Sequence, residues 1–208
     1  MQPDCKRRSE ETMWNIVLVI LIVLIIICMW IVIYDSNRFV IREYVLSDQR
    51  IRKDCKIVVL ADLHNKRYGR ENELLISAVR SADPDMILIA GDLLTAKPGK
   101  KLDTPIHLMK ELVKECPVFY ANGNHEHRLK LYPDVYGDMA ERYEEELEKL
   151  GIKPLVNEHA DIPEYGIAIY GSQIDKMYYS RFAVTPMSVD YLNHILGRVD
   201  RLSYSILL

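Results

Sequence analysis

Between residues 16 and 33 the chain carries about 18 consecutive uncharged residues, nearly all Ile, Val or Leu. At 1.5 Å of rise per residue a helix of that length covers about 27 Å, close to the hydrocarbon core of a bilayer. Trp14, Trp30 and Tyr34 sit near its ends, where amphipathic rings favour the membrane interface. A buried core helix and a secretory signal are the alternatives. The apolar region of a signal is shorter and leads into a small-x-small cleavage site, whereas this run leads into Tyr34-Asp35-Ser36-Asn37-Arg38. The pattern predicts a tail over residues 1–13, one transmembrane helix over 14–34, a polar connector over 35–54 with a strand at 39–45, and a folded domain over 55–208. Lys6, Arg7 and Arg8 precede the span, while Arg38, Arg42, Arg50, Arg52 and Lys53 follow it. Long domains translocate largely regardless of charge, so the short basic tail decides the orientation: N-terminus inside, domain extracytoplasmic at the cell membrane.

Outside the apolar run the composition is that of a globular domain. Charged residues make up 27% of the chain and the net charge is -3. These values exclude a disordered chain and argue against a nucleic-acid partner, which would ask for a basic excess. Cys5, Cys28, Cys55 and Cys116 form no C-x-x-C pair, so neither a zinc knuckle nor a disulfide framework is expected. Cys55 and Cys116 read as packing residues.

From residue 56 onward apolar, β-branched runs alternate with helical spacing. Strands are expected at 56–60, 86–90 and 118–121, and helices at 72–82, 105–115 and 136–150. Fully apolar strands separated by helices are the signature of parallel β-α-β units, so the fold class is α/β. Beyond Gly151 the signal weakens to short strands near Leu155 and at 167–170, a helix at 186–196 and a last strand at 203–208. The chain closes on Ser205-Ile206-Leu207-Leu208 without a polar cap and reads as a fragment of a longer protein.

Each of the three strong strands ends in polar residues: Asp62-Leu63-His64-Asn65, then Gly91-Asp92, then Asn122-Gly123-Asn124-His125-Glu126. In open parallel sheets ligands bind beyond the carboxyl ends of the strands, so three distant pieces of sequence converge there. Asp62 and His64, two apart on extended chain, are expected to point to one side. Gly91 and Gly123 are expected to let the backbone turn sharply before a ligand. Carboxylate, imidazole and amide oxygen suit divalent manganese, iron or zinc. Taken singly, each piece is an ordinary turn or cap; all three at consecutive strand ends form a metal-ligand pattern.

Asp62-x-His64, Gly91-Asp92 and Gly123-Asn124-His125-Glu126, in this order, resemble the first three motifs of the calcineurin-like metallophosphoesterase superfamily. The run Asp62-Leu63-His64-Asn65-Lys66-Arg67-Tyr68-Gly69 is most similar to the bacterial branch with an N-terminal membrane helix. The resemblance implies a β-sandwich of two sheets flanked by helices, here incomplete at the C-terminus. It implies two divalent metal ions, with Asp62 and His64 on the first, Asp92 bridging both and Asn124 on the second. His125 would not bind metal but would stabilise developing charge or protonate the leaving oxygen, and Glu126 would orient its ring. A metal-activated hydroxide would be the nucleophile. The family's later histidine and final Gly-His-x-His are absent, so this chain is expected to bind metal poorly and to hydrolyse little.

The remaining histidines carry plainer readings: His107 and His194 on helices, His159 in a loop and His127 exposed near the site. Lys97, Lys100 and Lys101 form a basic loop after Asp92, either solvated or placed to attract a phosphate or lipid headgroup. The sequence and the resemblance therefore point to a membrane-anchored phosphohydrolase acting on a phosphomonoester or phosphodiester; the anchor and the family analogy imply a lipid-linked, UDP-diacylglucosamine-like phosphate as one substrate, with cell-wall phosphopolymers and nucleotides as others. The alternative is a non-catalytic membrane-tethered α/β interaction domain. No P-loop and no G-x-S-x-G elbow is present, and oligomeric state is not legible.

Overall fold

The computed structural model describes residues 3–179, 184–199 and 201–208, with side chains from residue 13 onward. The side chains of Cys5, Lys6, Arg7 and Arg8 therefore lie outside the described set. The chain divides into two compact units, Met1–Glu43 and Tyr44–Leu208.

The first unit is dominated by helix α1, Pro3–Ser36. Within it the segment Met13–Ser36 spans 24 residues, all exposed, and its length of about 36 Å suffices to cross a bilayer. No polar stripe interrupts this surface, so the helix matches an apolar surrounding rather than one half-buried face. At its C-terminal end Trp30 stacks on Tyr34 with ring centroids 5.6 Å apart, and the Arg38 guanidinium lies 5.1 Å above the Tyr34 ring. Asn37 Nδ2 donates to the Ile33 carbonyl at 2.7 Å, satisfying one of the orphan acceptors of the last turn. The strand expected at 39–45 is not formed. Val40, Ile41, Tyr44 and Val45 are exposed, and among the described residues no β-ladder reaches them; without a neighbouring edge an extended segment has no hydrogen-bond partners and stays irregular.

The second unit begins with the strands read from the sequence. β1 (Ile57–Leu60), β2 (Met86–Ala90) and β3 (Val118–Ala121) form a parallel sheet in the order β1-β2-β3. Its register pairs Leu60 with Ile89 and Ala90 with Ala121, which aligns the polar ends of the strands. Crossovers run through α2 (Glu73–Ala82) and α3 (Asp103–Leu112). Met86 and Leu88 point to one face of β2, and Ile87 and Ile89 to the other; all four are buried, so both faces of the sheet are covered.

After β3 come α4 (Asn124–Leu131), α5 (Pro133–Tyr136) and α6 (Met139–Lys149). The helix expected from residue 136 starts at Met139, because Gly137 at φ 61° separates it from α5. A second sheet follows, with β4 (Glu158–Ile162) antiparallel to β5 (Ile167–Gly171), and β6 (Tyr204–Leu207) parallel to β5. Leu155, expected in a strand, makes only an isolated bridge to Ala121. Helix α7 (Val189–Leu196) lies between β5 and β6 in sequence. The two sheets share a core of Met86, Leu88, Leu155, Ile167 and Ile169, joined at its rim by Cys55, Ile57, Phe119 and Ile206. The domain is thus an α/β sandwich of two sheets flanked by helices. Its first sheet delivers three polar loops to one edge.

Candidate metal centre at the strand ends

Asp62, His64, Asn65 and Asp92 all have positive φ, at 54°, 48°, 59° and 51°. Left-handed backbone is costly for residues other than glycine and persists where the surroundings enforce it. Here the loop after β1 is zipped onto the loop after β2. Asp62 N donates to Gly91 O at 3.3 Å, His64 N to Asp92 O at 2.9 Å and Asn65 N to Leu93 O at 3.0 Å. The extended geometry expected for Asp62 and His64 is therefore replaced by a left-handed turn. The turn still brings the side chains together, with His64 Nε2 lying 3.7 Å from Asp62 Oδ1 and 3.8 Å from Asp92 Oδ2.

The two glycines act differently from each other. Gly91 takes φ 74°, and a Cβ there would stand 2.5 Å from Cα and N of Gly123. Gly123 is itself extended, at φ -88° and ψ -172°, so conformational freedom is not its use. A Cβ on Gly123 would collide with Asp92 Oδ1, Cγ and N. Its role is close approach: the third loop packs directly against the Asp92 carboxylate.

That carboxylate is nearly buried. Its Oδ1 accepts from His125 N at 2.9 Å, and its Oδ2 accepts from Asn124 Nδ2 at 2.9 Å. Asp62, by contrast, is three-quarters exposed. His64, Asp92 and His125 bring ligand-type atoms within 4.8 Å of one another, a mixed imidazole and carboxylate set of the kind that divalent first-row metals take. Of the five residues singled out from the sequence, these three form the tight group. Asp62 joins it through His64, and Asn124 through Asp92.

The His125 ring meets His64 edge-on at 4.8 Å between centroids. Its Nδ1 accepts from Ala96 N at 2.9 Å, so in the neutral ring the proton belongs on Nε2. Burial pushes this imidazole below its ordinary pKa, against the opposing pull of Asp92, and the neutral form is favoured.

Glu126 does not orient the His125 ring, as the motif resemblance implied. It is buried, and its Oε2 accepts from Asp92 N at 2.9 Å and Gly123 N at 3.0 Å, while Oε1 accepts from Leu94 N at 3.1 Å. The bond to Gly123 caps the first turn of α4; the other two fasten the loop after β2. Burial raises the Glu126 pKa, opposed by the N–H donors of Leu94 and Asp92. Beneath it the buried Tyr120 and Tyr143 hydroxyls meet at 3.2 Å.

Other residues at the site carry no strong sequence signal. Asn65 Oδ1 accepts from Thr95 N at 2.6 Å, binding the first two loops side chain to backbone. Asn122 Nδ2 donates to Gln173 Oε1 at 3.3 Å, reaching the loop after β5. His127 is half-buried rather than exposed, and burial lowers its pKa. His159 lies in β4, stacked on Tyr170 at 5.1 Å, not in a loop.

A family profile described as calcineurin-like phosphoesterase matches residues 55–200. The chain is 34% identical over 123 residues, 58% of its length, to an uncharacterised metallophosphoesterase of Campylobacter jejuni, of which the match covers 30%. It is 28% identical over 109 residues, 51% of its length, to a transmembrane protein with a metallophosphoesterase domain from Danio rerio, of which the match covers 23%. The chain thus spans well under half the length of the curated relatives it matches. With the profile covering most of the second unit and its motif residues converging at the strand ends, this chain belongs to the calcineurin-like phosphoesterase family.

Proposed function

We propose that the chain carries the catalytic domain of a membrane-anchored, metal-dependent phosphohydrolase that cleaves a phosphomonoester or phosphodiester. The observation that carries this reading is the convergence of His64, Asp92 and His125, from three separate strand ends, with ligand-type atoms within 4.8 Å. The donor set suits divalent manganese, iron or zinc. Asp62 and His64 would hold one ion, Asn124 a second, and Asp92 would be shared between them. Bound there, the ions supply Lewis-acid polarisation of phosphoryl oxygens and a lowered pKa for water.

The chain's own residues supply position and a proton. Ala96 N–H holds Nδ1 of His125, leaving Nε2–H to hydrogen-bond a phosphoryl or leaving-group oxygen as charge develops there. Glu126, through three backbone N–H groups, fixes Asp92 and Gly123 before substrate arrives. Helix α1 is long and apolar enough for a single membrane span; in this reading the domain is extracytoplasmic and the substrate a phosphoester such as a lipid-linked, UDP-diacylglucosamine-like one. With four ligand residues for two ions, turnover by this chain alone is expected to be weak.

The test is manganese binding by the full chain, read from the loss of the free-ion electron paramagnetic resonance signal, together with hydrolysis of bis(p-nitrophenyl) phosphate. Asp92→Ala should weaken binding by at least about tenfold and abolish any metal-dependent hydrolysis. Unchanged binding and activity in that variant would overturn the site.

A further inference from the structure

Packing alone does not account for the two hydroxyls beneath Glu126. Tyr120 on β3 and Tyr143 on α6 are 0% and 3% exposed, with ring centroids 6.3 Å apart and planes at 74°. Phenylalanine rings would fill the same space without carrying polar atoms into the core, where each must find a partner. The two hydroxyls find theirs in series. Tyr143 Oη–H donates to Tyr120 Oη at 3.2 Å, which leaves the Tyr120 proton to point onward, and the group that this hydroxyl faces is the Glu126 carboxylate. Burial pushes both phenols up, so each keeps the proton that it donates.

Glu126 is the junction. Its Oε2 accepts from Asp92 N and Gly123 N, and its Oε1 from Leu94 N. With the Tyr120 hydroxyl that makes four donors on two oxygens, about the number of lone-pair sites that a carboxylate offers. Three of the four are main-chain amides of the loops after β2 and β3, and they hold Glu126 from the side of the site. The fourth holds it from the core, and behind it stands α6, a helix that supplies no candidate ligand. Without that hydroxyl one carboxylate oxygen loses a bond that no solvent replaces at this depth. The neighbouring loops have little slack to absorb a shift. A Cβ on Gly123 would stand 2.3 Å from Asp92 Oδ1, and Asp92 itself accepts from His125 N and Asn124 Nδ2 at 2.9 Å. A displacement of Glu126 is therefore passed to Asp92 and to the start of α4.

We propose that Tyr120 and Tyr143 are positioning residues for the metal centre, a chain of buried hydroxyls running from Tyr143 through Tyr120 to Glu126 that sets the place of Asp92, although neither tyrosine donates to Asp92 itself. The inference rests on the phosphohydrolase reading for its consequence, metal affinity; the placement of the loops is testable without metal. A pair that only stabilised the fold would leave the Asp92 loop unmoved.

The experiment uses the full chain in detergent micelles. With EDTA present, amide hydrogen exchange is followed by nuclear magnetic resonance. Tyr120→Phe should speed exchange at Asp92, Leu94 and Gly123 by at least about tenfold while the β2 amides keep their protection. Manganese titration, read from the free-ion electron paramagnetic resonance signal, should show an affinity at least about tenfold lower in Tyr120→Phe. Tyr143→Phe removes only the outer link and should lose less. Leu147→Ala opens a cavity at a fully buried position of the same helix and leaves the hydroxyls in place; it should lower the urea midpoint with manganese affinity unchanged. In a Glu126→Gln background Tyr120→Phe should cost little more, because both act through one group.

Wild-type exchange at the three amides in both tyrosine variants would overturn the proposal. So would an affinity loss in Leu147→Ala equal to that in Tyr120→Phe, or losses that add fully in the double variant. Manganese binding that Asp92→Ala weakens and Tyr120→Phe does not would overturn it too. Should Tyr120→Phe not fold, Tyr143→Phe carries the same measurements. Manganese binding unmoved by Asp92→Ala, with the exchange result intact, would strike the phosphohydrolase reading alone and leave the hydroxyl chain as what places the loop.

Discussion

At the scale of single residues, the site is held by backbone groups more than by its ligands. The candidate ligands were legible as residue types, because carboxylates and imidazoles at three strand ends stand out in the sequence. What organises them was not. The Ala96 N–H that fixes the His125 tautomer could belong to any amino acid, and the left-handed backbone of Asp62, His64 and Asp92 has no signature in those residue types. Glu126 was legible as a polar neighbour but not as a fastener of backbone amides. Gly123 was noticed for the wrong reason, since it is extended and merely has no room for a Cβ. Gly123→Ala should therefore force its loop away from Asp92. We expect a destabilisation of about 1–3 kcal/mol in urea unfolding and a loss of manganese affinity, although no proposed ligand has been removed. A variant with wild-type affinity would show that the loops accommodate the methyl group.

At the scale of elements, the parallel sheet was easy to read and the second sheet was hard. β2 is buried on both faces and appears in sequence as an unbroken apolar run. β4 reads Glu-His-Ala-Asp-Ile, mostly outward-facing, and is formed by its pairing with β5 rather than by its own pattern. The turn between them, with Pro163 and with Gly166 at φ 70°, was the available clue. The strand wrongly expected at 39–45 shows the converse, a favourable pattern with nothing alongside it.

The sheets are linked at one edge by Asp85, whose Oδ2 accepts from Lys56 N at 2.7 Å and whose Oδ1 accepts from Tyr165 Oη–H at 3.1 Å. The Lys56 bond holds the Asp85 carboxyl below its ordinary pKa of 3.8. A depressed carboxylate contributes stability above its unfolded pKa and loses that contribution as pH falls through the folded value. Asp85→Ala should lower the urea midpoint at pH 7, and the gap to wild type should close as the pH is taken below 3.8. A gap that stays constant with pH would assign the loss to packing.

For the molecule as a whole, the apolar run and the α/β domain were both apparent from the chain, because each depends on long-range composition rather than on local detail. The proposed orientation across a membrane rests on a three-residue basic tail, the thinnest of the sequence signals. With the domain extracytoplasmic, protease added to intact cells should cut it, the exposed loop at 97–101 being an open target. A domain that survives until the cells are lysed would reverse the orientation and move the substrate to the other leaflet.

The fastening role of Glu126 also bears on inheritance within the family. A related chain could keep every proposed metal ligand and still lose this arrangement by exchanging this single acceptor, because three amides from two loops would be left without a partner. Descent of function is then better traced through the residue after the histidine, together with the two facing glycines, than through the ligands alone.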